Sequence, residues 1–157
     1  MSIENNIHEA LRWLKTAEDD LDAASVLKAN GKFPHACFHA QQAGEKAMKA
    51  VWYHCDADPW GHSVRRLIED LENVDLNLYA QLKGLMRAGT ILDRFYIPTR
   101  YPNGLPDLTP GEAFLDEDAA LCIQLSDEIV AAVRSLLSNC SPGVANPQPN
   151  PKHESTK

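Results

Sequence analysis

Between Pro34 and the Asp58-Pro59-Trp60-Gly61 segment, Cys37, Ala40, Gly44, Ala47 and Val51 recur every three or four residues, and all five are small. That spacing puts them on one face of an α-helix, and their low profile lets a neighbouring helix come close. A helix of this kind belongs at the centre of the molecule, so the remaining question is what surrounds it.

The other segments also read as helices. Leu11, Leu14, Ala17, Leu21 and Ala24 form an inward stripe on a first helix, which should close near Asn30-Gly31 because that pair readily takes a left-handed conformation. The second helix begins near Pro34. Ser63 is placed to cap a short third helix with Val64, Leu67, Ile68 and Leu71 inward, and a fourth follows with Leu78, Leu82, Leu85, Ala88 and Leu92 on its stripe, ending before Pro98. The last helix has the clearest start, a Thr109-Pro110-Gly111-Glu112 capping box, and its stripe runs Leu115, Ala119, Cys122, Ser126, Ile129, Val133 and Leu136. No strand alternation and no internal repeat is present. The expected fold is all-α, an antiparallel up-and-down bundle of four main helices plus a short extra one over residues 1–140. Residues 141–157, rich in Pro, Asn, Ser and Lys, read as a disordered tail.

Composition limits the function. A chain of 157 residues with 44% apolar and 24% charged residues builds one ordinary core, and no apolar run is long enough for a membrane span. Met1 to Glu9 lacks the basic and apolar regions of a signal peptide, so a cytoplasmic location is expected. Cys37, Cys55, Cys122 and Cys140 have no zinc-type spacing and read as reduced structural thiols. The net charge of −7 argues against a protein that coats nucleic acid through an overall basic surface. The charge is uneven: residues 1–40 carry −2, residues 41–100 are neutral and residues 101–157 carry −5. An anion site must therefore be local, and the middle third holds most of the cations.

Two stretches carry chemical potential. On the second helix Phe38, Gln42, Glu45, Lys49 and Trp52 form a polar row beside the packing stripe. It reads either as an exposed or dimer-facing strip, with Glu45 and Lys49 in an ordinary ion pair, or as a rigid set of hydrogen-bonding groups for a ligand. The second stretch, Leu92 to Pro102, packs two arginines, three aromatic residues and two prolines between a helix end and a helix start. Proline holds Ile97 and Tyr101 extended and stiffens the loop. Arg100 can then offer a bidentate fork to phosphate or carboxylate, and Tyr96 or Tyr101 a stacking face. The alternative is that Asp93 pairs with Arg94 or Arg100 while the aromatic rings plug the bundle end. His35 and His39 lie one turn apart but lack a third metal ligand at suitable spacing, and His62 reads as a loop-ending residue. No Gly-rich phosphate loop, HExxH or GxSxG motif is present, which weakens any ordinary enzyme assignment.

Three motifs in order, Gln41-Gln42-Ala43-Gly44-Glu45-Lys46-Ala47-Met48-Lys49-Ala50, then His62-Ser63, then Tyr96-Ile97-Pro98-Thr99-Arg100-Tyr101-Pro102, resemble the small HEPN-domain proteins, which are related to the C-terminal domain of sacsin. The resemblance covers about residues 8–138. It implies a helical bundle, frequent homodimers, pairing with a small nucleotidyltransferase in toxin–antitoxin-like modules, and a nucleotide- or RNA-related role. The ligand-binding set it suggests is Gln42, Glu45, Lys49, Asp93, Arg100 and Tyr101, with Lys49 neutralising phosphate and Tyr101 stacking. No catalytic residue, metal or cofactor is assigned. Ribonucleases of the family use an arginine followed after four to six residues by histidine, whereas Arg100 is followed there by Leu105, Pro106 and Asp107. An arginine alone cannot exchange protons near neutral pH, so the expected role moves from catalysis toward binding. A divergent metal-independent ribonuclease, with His62 approaching from another loop, and a dimeric interaction scaffold are the alternatives.

Overall fold

A computed structural model describes residues 2–139, so the tail read at 141–157 lies outside the described residues. The long helix α2 (Phe33–His54) passes through the middle, packed by α1 (Ile3–Ala29) on one side and α7 (Asp116–Asn139) on another. The small-residue stripe is wholly buried, and Ala36, Ala43, Met48 and Ala50 are buried with it, so α2 meets neighbours on most of its circumference. The remaining helices, α3 (Val64–Glu69), α4 (Leu76–Leu82), α5 (Met86–Asp93) and the single turn α6 (Pro110–Ala113), close the bundle. No strand occurs among the described residues. The fold is an all-α helical bundle.

The turn between α1 and α2 shows why two long helices lie antiparallel. Gly31 takes φ +69°, the left-handed conformation, and the N–H groups of Gly31 and Lys32 donate to the carbonyls of Lys28 and Leu27 at 3.0 and 2.9 Å. This closes α1 with a double hydrogen bond and turns the chain back at once. In α1 the inward row starts at Ala10, not Leu11, which is 45% exposed. The smaller side chain occupies the contact because α1 lies close against α2.

Two expected helices are each interrupted. The fourth is divided into α4 and α5 by a 3₁₀ turn at Lys83–Leu85 that contains Gly84. Glycine is a poor helix former, and the three-residue spacing of Leu82, Leu85 and Ala88 suits a 3₁₀ turn, where i and i+3 eclipse. The stripe therefore keeps facing inward across the break. At the C-terminal side, the Thr109 and Glu112 box does form: the Thr109 N–H and hydroxyl donate to Glu112 Oε2 at 2.9 and 2.8 Å. These bonds, on a fully exposed carboxyl, hold the Glu112 pKa below its usual value. The helix lasts one turn, however, because Phe114 adopts an extended conformation (ψ 133°) and packs on Phe95 with ring centroids 5.8 Å apart. Leu115, expected inward, is 57% exposed. Its N–H donates to Asp118 Oδ2 at 2.8 Å, which starts α7 afresh.

Cys37 and Cys122 are buried side by side between α2 and α7. The Cys37 contact and burial raise the pKa of the Cys122 thiol, as expected for an inert structural cysteine. Cys140 lies outside the described residues.

Helices α3 and α5 approach most closely at Gly89, where an added Cβ would stand 2.9 Å from the Arg65 nitrogen and 3.1 Å from its Cα. Backbone cannot yield as a side-chain end can. Gly89→Ala is expected to cost about 1–3 kcal/mol, seen in thermal denaturation as a Tm lower by about 2–4 °C for each kcal/mol. An unchanged Tm would contradict this packing.

Candidate functional site

The polar row of α2 is not an exposed strip. Glu45 is 3% exposed and its two oxygens are fully engaged. Oε1 meets Lys49 Nζ at 2.9 Å and His62 Nδ1 at 3.1 Å, while Oε2 accepts from Gln42 Nε2 at 3.0 Å and Gln41 Nε2 at 3.4 Å. The Gln41 amide also donates to the His62 carbonyl at 3.0 Å, and Gln42 donates to Gln41 Oε1 at 2.8 Å. A carboxylate leaves water at this depth only when charges and hydrogen bonds replace its hydration, and here four side chains do so. Lys49, read as a phosphate contact, instead gives its charge to Glu45, with its ammonium 5.7 Å from the Trp13 ring.

A second cluster forms on the loop after α5. The backbone turns at Phe95–Arg100, where Thr99 Oγ1 donates to the Phe95 carbonyl at 2.5 Å and the Arg100 N–H to the Ile97 carbonyl at 3.0 Å. Arg100 Nε donates to the Tyr96 carbonyl at 2.9 Å. Its guanidinium carbon lies 4.6 Å from the Phe38 ring centroid, 4.5 Å from Tyr96 and 5.2 Å from Tyr101. Cation–π contacts of this kind are worth about 0.5–2 kcal/mol and hold the charge without neutralising it. Among the described residues no carboxylate lies within ion-pair distance of Arg100, so the pairing with Asp93 weighed above does not occur.

His62 joins the two clusters. Its ring stacks on Tyr96 at 5.1 Å and 20°, its Nδ1 faces Glu45, and its carbonyl is held by Gln41. The side chain is still 59% exposed. A buried carboxylate on one ring nitrogen fixes the orientation of the imidazole.

Of the sequence-derived set, Gln42, Glu45 and Lys49 come together on α2, and Arg100 and Tyr101 come together on the loop. Asp93 does neither. Its carboxylate accepts from Ser63 Oγ at 2.6 Å, Val64 N–H at 2.7 Å and Arg65 N–H at 3.2 Å, so it caps the start of α3. It pairs with neither Arg94 nor Arg100. Phe38, Gln41, His62 and Tyr96 complete the arrangement although they were not in that set. Phe38 and Gln41 carried a signal in their positions on α2, and His62 in its own motif, but contacts across 17 and 21 residues are not readable from spacing. His39 meets Asp20 at 3.2 Å, and among the described residues no three potential metal ligands converge.

Against known proteins, a family model described as the HEPN domain matches residues 10–136. The chain belongs to the HEPN family. Among curated proteins it is 29% identical over 138 residues to "Putative toxin MJ1304" of Methanocaldococcus jannaschii, covering 84% of this chain and 90% of that protein. Among solved structures it is similar to TT1696 of Thermus thermophilus, with TM-score 0.73 and 35% identity over 80% of this chain and 96% of the other. It is also similar to ST0689, described as an archaeal HEPN homologue, with TM-score 0.66 and 32% identity over 82% and 97% of the two chains. The HEPN bundle thus accounts for nearly all the described residues, and no described helix is long and apolar enough to cross a membrane.

Asp93→Ala removes a helix cap and three charge-assisted hydrogen bonds at once. It is expected to cost about 2 kcal/mol or more in urea unfolding. A variant as stable as the parent would show that the cap contributes nothing.

Proposed function

We propose that this HEPN protein binds a nucleotide at Arg100, as the partner of a small nucleotidyltransferase in a toxin–antitoxin-like module, and works as a homodimer. The observation that carries the proposal is the state of Arg100: a guanidinium clasped by three aromatic rings, with no carboxylate partner among the described residues. Such a group is ready to take an anion, and Tyr101, half exposed beside it, offers a face for a base. The name of the Methanocaldococcus jannaschii relative supports the toxin–antitoxin setting. Isothermal calorimetry on the full chain is expected to show ATP binding that Arg100→Ala weakens at least tenfold while leaving a cooperative thermal transition. Co-purification with a co-encoded nucleotidyltransferase is the second expected result. Absence of both binding and complex defeats the proposal.

The His62 geometry favours a second reading, metal-independent cleavage of RNA. Glu45 would orient His62 so that Nε2 takes the proton of a ribose 2′-hydroxyl, whose oxygen attacks the adjacent phosphorus while Arg100 holds the phosphate charge. The bond to the 5′-oxygen breaks and that oxygen receives the proton back. This reading expects cleavage of an RNA oligonucleotide in EDTA, absent when the attacked ribose is 2′-deoxy and lost in His62→Gln. Cleavage that survives His62→Gln rejects it.

A further inference from the structure

Arg100 also lines a cavity of about 460 Å³ between the start of α2, the Thr99–Arg100 turn and the start of α6. The charged and titratable side chains on its wall are Lys32, His35 and Arg100, and no carboxylate is among them. Many of the other cations are paired, Arg12 with Glu9, Lys28 with Asp116, Lys46 with Asp20, Lys49 with Glu45 and Arg134 with Glu18, and of the described lysines and arginines that no ion pair reaches, Lys32 and Arg100 are the two that line this cavity. Among the described residues neither Lys32 nor His35 nor Arg100 has an acidic side chain within ion-pair distance. Two unpaired cations, Lys32 and Arg100, with the His35 imidazole beside them, share one concave wall and make a locally positive cavity in an acidic protein.

The backbone adds to the same field. The 22-residue helix α2 starts at this cavity with no side-chain cap at Lys32 and no acidic residue in its first turn. Its free N–H groups and its dipole favour an anion there. A single small anion would use only part of the space, since a cavity of this volume falls in the range of ligand pockets of about 300–1,000 Å³.

We infer that this cavity holds a polyphosphate chain, with Arg100 at one end and Lys32 and His35 at the other. The inference rests on the nucleotide-binding reading only in sharing Arg100, and it fixes where the phosphates lie. They run toward the start of α2. They do not reach Lys49, which is 17 residues farther along the helix from Lys32, on the order of 25 Å at the rise of an α-helix.

The experiment is calorimetry on the full chain with inorganic tripolyphosphate, ATP and AMP as separate probes. Tripolyphosphate is expected to bind the parent, to bind Lys32→Glu at least tenfold more weakly, to bind His35→Ala several-fold more weakly, and to be lost in Arg100→Ala. Lys15→Glu, a change of equal charge on α1, should leave its affinity unchanged. Lys32 and His35 are exposed, so circular dichroism melts of their variants should match the parent. Failure of tripolyphosphate to bind, or equal affinity in the parent and Lys32→Glu, overturns the inference. If ATP nevertheless binds and resists Lys32→Glu, the cavity is wrong and the nucleotide reading stands. If tripolyphosphate binds as tightly as ATP and AMP does not bind, the cavity stands and the nucleoside plays no part.

Discussion

The carboxylate of Asp93 ties the end of α5 to the start of α3, and the geometry of the site depends on that tie. Its three hydrogen bonds satisfy the Ser63 hydroxyl and the first N–H groups of α3. Just before that point lies His62, and just after Asp93 lies the Tyr96–Arg100 turn. One side chain therefore sets the separation of the two loops that carry His62 and Arg100. Gly89 makes the tie possible, since a Cβ there would press on the backbone of Arg65. The stacking of His62 on Tyr96 is a consequence of this packing, more than of any strong attraction between the two rings.

Much of the fold was legible because helix formation is local. The α2 stripe, the Asn30-Gly31 turn, the Ser63 cap and the inward faces of α3 and α7 all rest on spacings within about one helical turn, where side chains of one helix face the same neighbour. The departures come from tertiary competition. Leu115 lost its inward place because Phe114 leaves the helix to reach Phe95, and no periodicity announces such an exit. Gly84 did signal weakness, but the unbroken stripe from Leu78 to Leu92 concealed the 3₁₀ turn, since both helix types can keep residues three apart on one side.

The site was legible in proportion to the range of its contacts. Arg100 and Tyr96 are four residues apart, and proline already marked that loop as stiff, so their association follows from local reading. The capping contacts of Asp93 were not readable from spacing because its partners lie 28 to 30 residues away. Glu45 and Lys49 did form the expected i,i+4 pair, yet exposure decides what that pair is worth. At a solvated surface it would contribute a few tenths of a kcal/mol. At 3% and 12% side-chain exposure it becomes part of a network that cannot lose one member cheaply.

The Glu45 network and the Arg100 cluster hold their cations in two different ways. A buried ion pair is a weak source of stability, because desolvation offsets most of the Coulomb attraction. What Glu45 gains for the molecule is position: it fixes the His62 ring, while Gln41, bonded to the same carboxylate, fixes the His62 backbone. Lys49 balances the charge of Glu45. Arg100 is held by the opposite means, by ring faces that fix its place and leave its charge uncompensated. Neutralised charge therefore orients the histidine, and uncompensated charge remains available to an anion at the cavity that Arg100 shares with Lys32 and His35.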